Sequence, residues 1–154
     1  MNISLTINGV KKFFEISPDE YLLETLRNNN YLSIKKGCDT GACGVCTVHV
    51  NDKAILSCTM LSARADGSKV TTIEGLSDAE LIGSYLIEEG ADQCGYCSSG
   101  TIMSISYLES QVDGIPSDED IKHYLNGNLC RCTGYESQLR AIKKYLEVKH
   151  NEIR

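Results

Sequence analysis

The chain has no tryptophan, only two phenylalanines, and no block of lysine and arginine. A nucleic-acid binder draws its affinity from cations that neutralise phosphates, so with a formal charge of -6 no nucleic-acid partner is expected. No apolar stretch is long enough to cross a bilayer, and the opening MNISLTINGV has no basic segment leading into a long apolar run. We therefore expect a soluble, cytoplasmic protein with no membrane partner. Neither G-x-G-x-x-G nor G-x-x-x-x-G-K-[ST] occurs, which removes the usual signs of a nicotinamide, flavin or nucleotide site. There is no internal repeat, no low-complexity tract, and no carboxylate pair or nucleophile-base pair of any specificity. What remains is a globular chain of 154 residues, 42% hydrophobic, able to bury a core as one domain or two small ones.

Cysteine, by contrast, is plentiful. The eight are Cys38, Cys43, Cys46 and Cys58, then Cys94, Cys97, Cys130 and Cys132: two groups of four with a cysteine-free interval between them. A cytosolic thiol pool keeps ordinary disulfides reduced, so metal or cluster ligation is the leading use for them. Arg131 separates Cys130 from Cys132, and two thiols at that spacing cannot bridge without strain. They are better placed to face a third party together.

The surrounding pattern divides the chain at the same interval. ISLTI, Asn8-Gly9 and VKKFFEI read as a β-hairpin. SPDEYLLETLRNN predicts a helix, with Ser17 as N-cap, Pro18 at the first helical position and Glu20 closing a capping box, burying Leu22, Leu23 and Leu26. Residues 33–46 have no period and read as a loop. TVHV and AILSC form a second hairpin about Asn51-Asp52-Lys53, and KVTTIEGL adds a strand. From Ser77 the period becomes helical: SDAELIGSYLIEEG opens on a Ser77–Glu80 capping box and presents Leu81, Ile82, Tyr85 and Leu86 on one face. Further helices are expected at about 99–111, 117–126 and 135–149, the last with a stripe of Leu139, Ile142 and Leu146. The expected class is α+β, with a small mixed-sheet domain over 1–76 and an all-helical domain over 77–154, its short connections favouring an antiparallel bundle.

Cys38-x4-Cys43-x2-Cys46 followed by Cys58 has the spacing of a plant-type 2Fe-2S site. Gly37, Gly41 and Gly44 would let the backbone turn sharply enough for the thiolates to converge, and would let N–H groups approach sulfur. Cys94-x2-Cys97 with Cys130-x1-Cys132 is a weaker sign, because four thiolates can also hold zinc. Helix N-termini near these pairs would favour thiolate and an anionic cluster.

Together, GCDTGACGVCTV, QCGYCSSGTIMS and GNLCRCTGY resemble the three cysteine signatures of the small iron-sulfur subunit of the molybdenum hydroxylase family, which includes xanthine dehydrogenase and aldehyde oxidoreductase. The similarity spans nearly the whole chain. It implies a plant-ferredoxin-like β-grasp domain followed by a four-helix bundle, each holding one 2Fe-2S cluster. Cys38, Cys43, Cys46 and Cys58 would hold the cluster facing the flavin, and Cys94, Cys97, Cys130 and Cys132 the one nearer molybdenum. Gln93 and Cys132 match positions that approach the pterin of the molybdenum cofactor. The implied partners are a large molybdenum-pterin catalytic subunit and a medium FAD-binding subunit, in a hetero-oligomer such as a dimer of heterotrimers. The chain would relay electrons from molybdenum to FAD during hydroxylation of a purine such as xanthine or another N-heterocycle. Aldehyde, carbon monoxide and aromatic acyl-CoA chemistries, or a free-standing ferredoxin-like carrier, are the alternatives. Ser99 stands where a proline is common and Gln138 where an apolar residue is usual. Neither is a ligand.

The plainer readings differ by residue. A lone cysteine is usually a small buried hydrophobe, but eight at matching spacings are not. His49 and His123 are expected as packing or surface residues, the thiolate set being complete without them. Arg131 is expected to offset the charge of four thiolates. Tyr85, Tyr96, Tyr107, Tyr124 and Tyr145 are expected in packing, and Asp118, Glu119 and Asp120 at a solvated helix start. A zinc-stabilised interaction module is the rival for the whole constellation.

Overall fold

The computed structural model describes residues 1–152, an α+β fold in which a five-stranded mixed sheet is followed by four helices. Strands β1 (Asn2–Ile7) and β2 (Val10–Glu15) form the first hairpin, turning at Asn8 and Gly9, whose φ values of 49° and 83° suit a tight two-residue turn. Strands β3 (Thr47–Val50) and β4 (Lys53–Leu56) form the second, turning at Asn51 and Asp52. Strand β5 (Lys69–Thr71) joins the two hairpins, parallel to β1 and antiparallel to β3, so the order across the sheet is β2-β1-β5-β3-β4.

Two helix starts differ from the sequence reading. Helix α1 spans Leu22–Asn28, not from Pro18. Ser17 to Glu20 close a turn instead, with the Glu20 N–H on the Ser17 carbonyl (3.1 Å), while the Glu20 carboxylate accepts the Thr25 hydroxyl (2.5 Å). Tyr21 is then held as a bridge to Leu61, and the helix can begin only beyond it. Leu22, Leu23 and Leu26 are buried as expected. Helix α2 spans Ala79–Glu88, with Asp78 rather than Ser77 at its N-cap position. The Asp78 carboxylate caps nothing, because it is turned inward to accept the hydroxyls of Tyr145 (2.5 Å) and Ser106 (3.3 Å).

Helices α3 (Ser98–Gln111), α4 (Asp118–Tyr124) and α5 (Glu136–Glu152) follow close to the expected bounds. Ser117 caps α4 through the Asp120 N–H (3.2 Å), and the acidic run complements that helix start, with Lys143 of α5 reaching Asp118 (2.6 Å).

The described residues form two hydrophobic cores. The first gathers Ile3, Leu5, Ile7, Phe14, Val48 and Val70 of the sheet with the leucines of α1. The second gathers Ile82, Leu86, Ile102, Ile105, Ile142, Tyr145 and Leu146 from the helices. Helix α3 lies between them, packed on β3 and β4 on one side and on α2 on the other. It is accordingly buried almost all round from Gly100 to Ser106. Helix α3 covers the His49 face of β3 while Val48 and Val50 point into the first core, so all four residues of the strand are buried and His49 is an interior residue. Among the described residues no helix is long and apolar enough to cross a membrane.

Candidate metal centres

Residues 32–46 carry no helix or strand, and their course brings Cys38, Cys43 and Cys46 to one end of the sheet. Cys58 sits on a single 3-10 turn, Ser57–Thr59, just past β4 rather than on the strand itself. That turn is tied to the loop by the Ser57 hydroxyl, which donates to the Cys46 carbonyl (2.8 Å). Gly41 and Gly44 have the positive φ (69° and 75°) that the sharp turn was expected to need. Gly37 does not; its lack of a side chain makes room, since a Cβ there would come within 3.0 Å of Val45 and 3.2 Å of the Cys43 sulfur.

The thiols of this first group stand in two pairs, Cys38 with Cys43 and Cys46 with Cys58. Cys38 is lowered to about 6 by a hydrogen bond from the Cys43 thiol and by the backbone N–H groups of Thr40, Cys43 and Ala42. The loop thus already stabilises negative sulfur before any metal is considered. Burial pushes the Cys58 thiol up to about 12, helped by its approach to Cys46. The mouth of the group is a hollow of about 400 Å³ edged by Tyr21, Glu24 and the Lys36–Asp39 ion pair (3.0 Å).

The second group is assembled from two segments. Cys94 and Cys97 lead into α3, with Cys97 at its N-cap position, and Cys130 and Cys132 lie on the irregular stretch before α5. Here too the thiols pair across segments, Cys97 with Cys130 and Cys94 with Cys132. Burial, with the neighbouring Cys130 sulfur, pushes Cys97 up to about 12. Burial also acts to raise Cys130, but hydrogen bonds from the Thr133 hydroxyl (3.3 Å) and from the backbone of Cys132 and Thr133 outweigh it and lower the thiol. The group borders a hollow of about 460 Å³ that also touches Gly37, Cys43, Tyr96, Arg131 and Tyr135. Arg131 is exposed at its rim. Gln93 and Cys132, both exposed, are brought side by side, the Gln93 amide donating to the Cys132 carbonyl (3.4 Å).

Among the described residues no three His, Cys, Asp or Glu side chains close on a point as one metal ion would require. Four thiols standing two and two suit a unit with two irons, each taking a pair. His49 and His123 are not near either group: His49 is buried against α3 and His123 is exposed on α4.

Several residues play parts at the sites that the sequence reading does not assign to them. Tyr135 has φ 72°, a strained conformation for a bulky residue, and its hydroxyl accepts the backbone N–H of Cys130 (3.0 Å). Thr133 donates to Cys130, and Tyr96, inside the second C-x-x-C, donates to the Lys36 carbonyl (2.7 Å) beside the first group. The Ser99 hydroxyl, in the place where a proline is common, donates to the Ser33 carbonyl (2.8 Å) and so ties α3 to the first loop. The only sequence sign of these roles was proximity to cysteine.

Comparison with known proteins places this arrangement. Residues 5–77 match the family profile of a 2Fe-2S iron-sulfur cluster binding domain, and residues 72–143 that of a second [2Fe-2S] binding domain. The nicotinate dehydrogenase small FeS subunit of Eubacterium barkeri is 38% identical, over 96% of either chain. The xanthine dehydrogenase iron-sulfur-binding subunit of Escherichia coli O157:H7 is 39% identical, over 92% of either chain. Among solved structures, quinoline 2-oxidoreductase from Pseudomonas putida 86 superposes with a TM-score of 0.89 at 32% identity, over 99% of this chain and 96% of the matched one.

Proposed function

The chain belongs to the family of small iron-sulfur subunits of the molybdenum hydroxylases, electron-transfer components of multi-subunit oxidoreductases, and on that premise we propose which of its residues hold which centre. Cys38, Cys43, Cys46 and Cys58 hold one 2Fe-2S cluster; Cys94, Cys97, Cys130 and Cys132 hold the other. Bound there, such clusters take up and release electrons singly. What carries this reading is the gathering of the thiols in two groups, each bordering a hollow, in segments that match two 2Fe-2S binding-domain profiles.

The chain's own part is to hold and tune. Backbone N–H groups of Thr40, Ala42 and Cys43 on Cys38, and the Thr133 hydroxyl on Cys130, favour negative sulfur and help to set the reduction potential. Exposed Arg131, between two ligands, offsets part of the thiolate charge. We assign residues 1–76 to a β-grasp domain around the first group and 77–154 to a four-helix domain around the second; the two separate cores support that division.

The subunit relays electrons from a molybdenum-pterin site in a large catalytic partner to FAD in a medium-sized one, with the second group facing molybdenum and the first facing flavin. The exposed Gln93 amide and Cys132 form the contact offered to the pterin. Tyr96, Leu129 and Tyr135, each over 40% exposed around the second group, provide apolar surface for the catalytic partner. A cytoplasmic dimer of heterotrimers is the assembly we expect. Because the relatives above are named for nicotinate, xanthine and quinoline, an N-heterocycle is the proposed substrate class.

The test is anaerobic purification of the native complex, with analysis of iron, acid-labile sulfide, molybdenum and flavin, paramagnetic resonance of the reduced protein, and a screen of N-heterocycles. Two distinct iron-sulfur signals are expected. A colourless protein holding zinc and no labile sulfide would replace this reading with that of an interaction module.

A further inference from the structure

Three cysteine-bearing segments meet at one place in the molecule: the first loop at Gly44, the start of α3 at Gly100, and the stretch at Gly127 and Asn128 that leads into Cys130. The contacts there are backbone on backbone. A Cβ at Gly100 would lie 2.4 Å from the Gly44 carbonyl oxygen and 2.7 Å from the Val45 Cα. A Cβ at Gly44 would lie 2.2 Å from the Gly127 carbonyl oxygen. One hydrogen bond closes the seam on each side. The Leu129 N–H donates to the Cys43 carbonyl (2.9 Å), and the Asn128 amide donates to the Gly100 carbonyl (3.4 Å).

We propose that this glycine seam sets the separation of the two iron-sulfur centres, with Gly100 as the positioning residue. The inference rests on the assignment of the eight cysteines above. Gly44 follows Cys43 directly, Gly100 follows Cys97 by three residues, and Leu129 precedes Cys130, so each segment at the seam carries a ligand within a few bonds. Side chains meeting across a seam can change rotamer and absorb an added methyl group. Backbone atoms already in contact cannot, and the added atom must push one cysteine loop away from the other. Transfer between centres and the magnetic interaction of their spins both weaken steeply with separation, so the seam controls the coupling without touching either centre.

The test is Gly100→Ala in the native complex, fully reduced and examined by paramagnetic resonance for the splitting that arises between the two centres. The expected result is a partial loss of splitting, with iron content and each centre's own signal retained. Gly114→Ala, at a glycine with no atom within 4 Å of the added Cβ, should keep the wild-type splitting. Wild-type splitting in Gly100→Ala, with both signals present, overturns the proposal even if the protein is less stable. Should Gly100→Ala fail to assemble, Asn128→Ala decides: it removes the amide from the Gly100 carbonyl and adds no bulk. Reduced splitting in that variant supports the seam and unchanged splitting overturns it. A wild-type complex lacking two signals would instead overturn the assignment of the centres, and this proposal with it.

Discussion

The Nε2 of His49, on β3, lies 2.8 Å from the carbonyl oxygen of Met103, on α3. A carbonyl can only accept, so Nε2 carries the proton and donates. The ring also meets Tyr107 edge-on, with centroids 6.0 Å apart. One buried imidazole therefore joins the sheet to the central helix, and with it the two halves that carry the cysteines.

His49→Ala should destabilise the protein by about 0.5–1.5 kcal/mol, the net value of one hydrogen bond, with the lost packing added, since the Met103 carbonyl keeps its partner within α3. Chemical denaturation of the cluster-loaded protein would show it as a lower midpoint. An unchanged midpoint would mean that the contact between the halves does not depend on this residue.

Tyr145 makes a comparable link inside the helical half. It is fully buried, its ionisation is strongly raised by burial and then by Asp78, and its hydroxyl donates to that carboxylate at 2.5 Å. Tyr145→Phe keeps the ring but leaves Asp78 with Ser106 as its remaining hydroxyl partner. A loss of about 1.5–3 kcal/mol is expected, the value for hydrogen bonds to charged groups, read from thermal unfolding.

Ligand substitutions should separate the two centres. Cys43→Ser is expected to remove the first cluster and leave the second, and Cys97→Ser the reverse, each lowering iron to about half. Each variant should keep one of the two resonance signals. Loss of both signals from either single change would show that the centres do not form independently.

The Glu89 carboxylate is held below the usual range by Lys144 first and Arg140 next, linking the end of α2 to α5. A carboxylate with a depressed folded value contributes stability that is present above its unfolded value, near 4, and is lost as pH falls through the folded one. The difference in melting temperature between the wild type and Glu89→Gln should therefore be steady from neutral pH down to about 5 and close at lower pH. Arg140 and Lys144 are largely exposed, so the difference will be small and will shrink further in salt. A difference that widened on acidification would refute this account.

Much was legible in the chain because it depends on neighbours in sequence. The Asn8-Gly9 turn, the helical period from α2 to α5 and the cysteine spacings are local, and local sterics and periodicity decide them. Spacing alone can reveal that a loop carries thiols able to converge.

Two helix starts and the role of His49 were decided elsewhere. Ser17 and Ser77 are sound capping residues, and Glu20 does accept the Ser17 N–H (3.4 Å), but the bridge of Tyr21 to Leu61 delays the first helix, and Asp78 is drawn to Tyr145, which lies 67 positions along the chain. The sequence leaves His49 as either a packing or a surface residue, and the packing of α3 on β3 decides for the interior. The same holds for the pairing of Cys94 with Cys132 and of Cys97 with Cys130. Sequence supplied the thiols; only backbones meeting at Gly44 and Gly100, where no side chain fits, decided how closely the two groups approach.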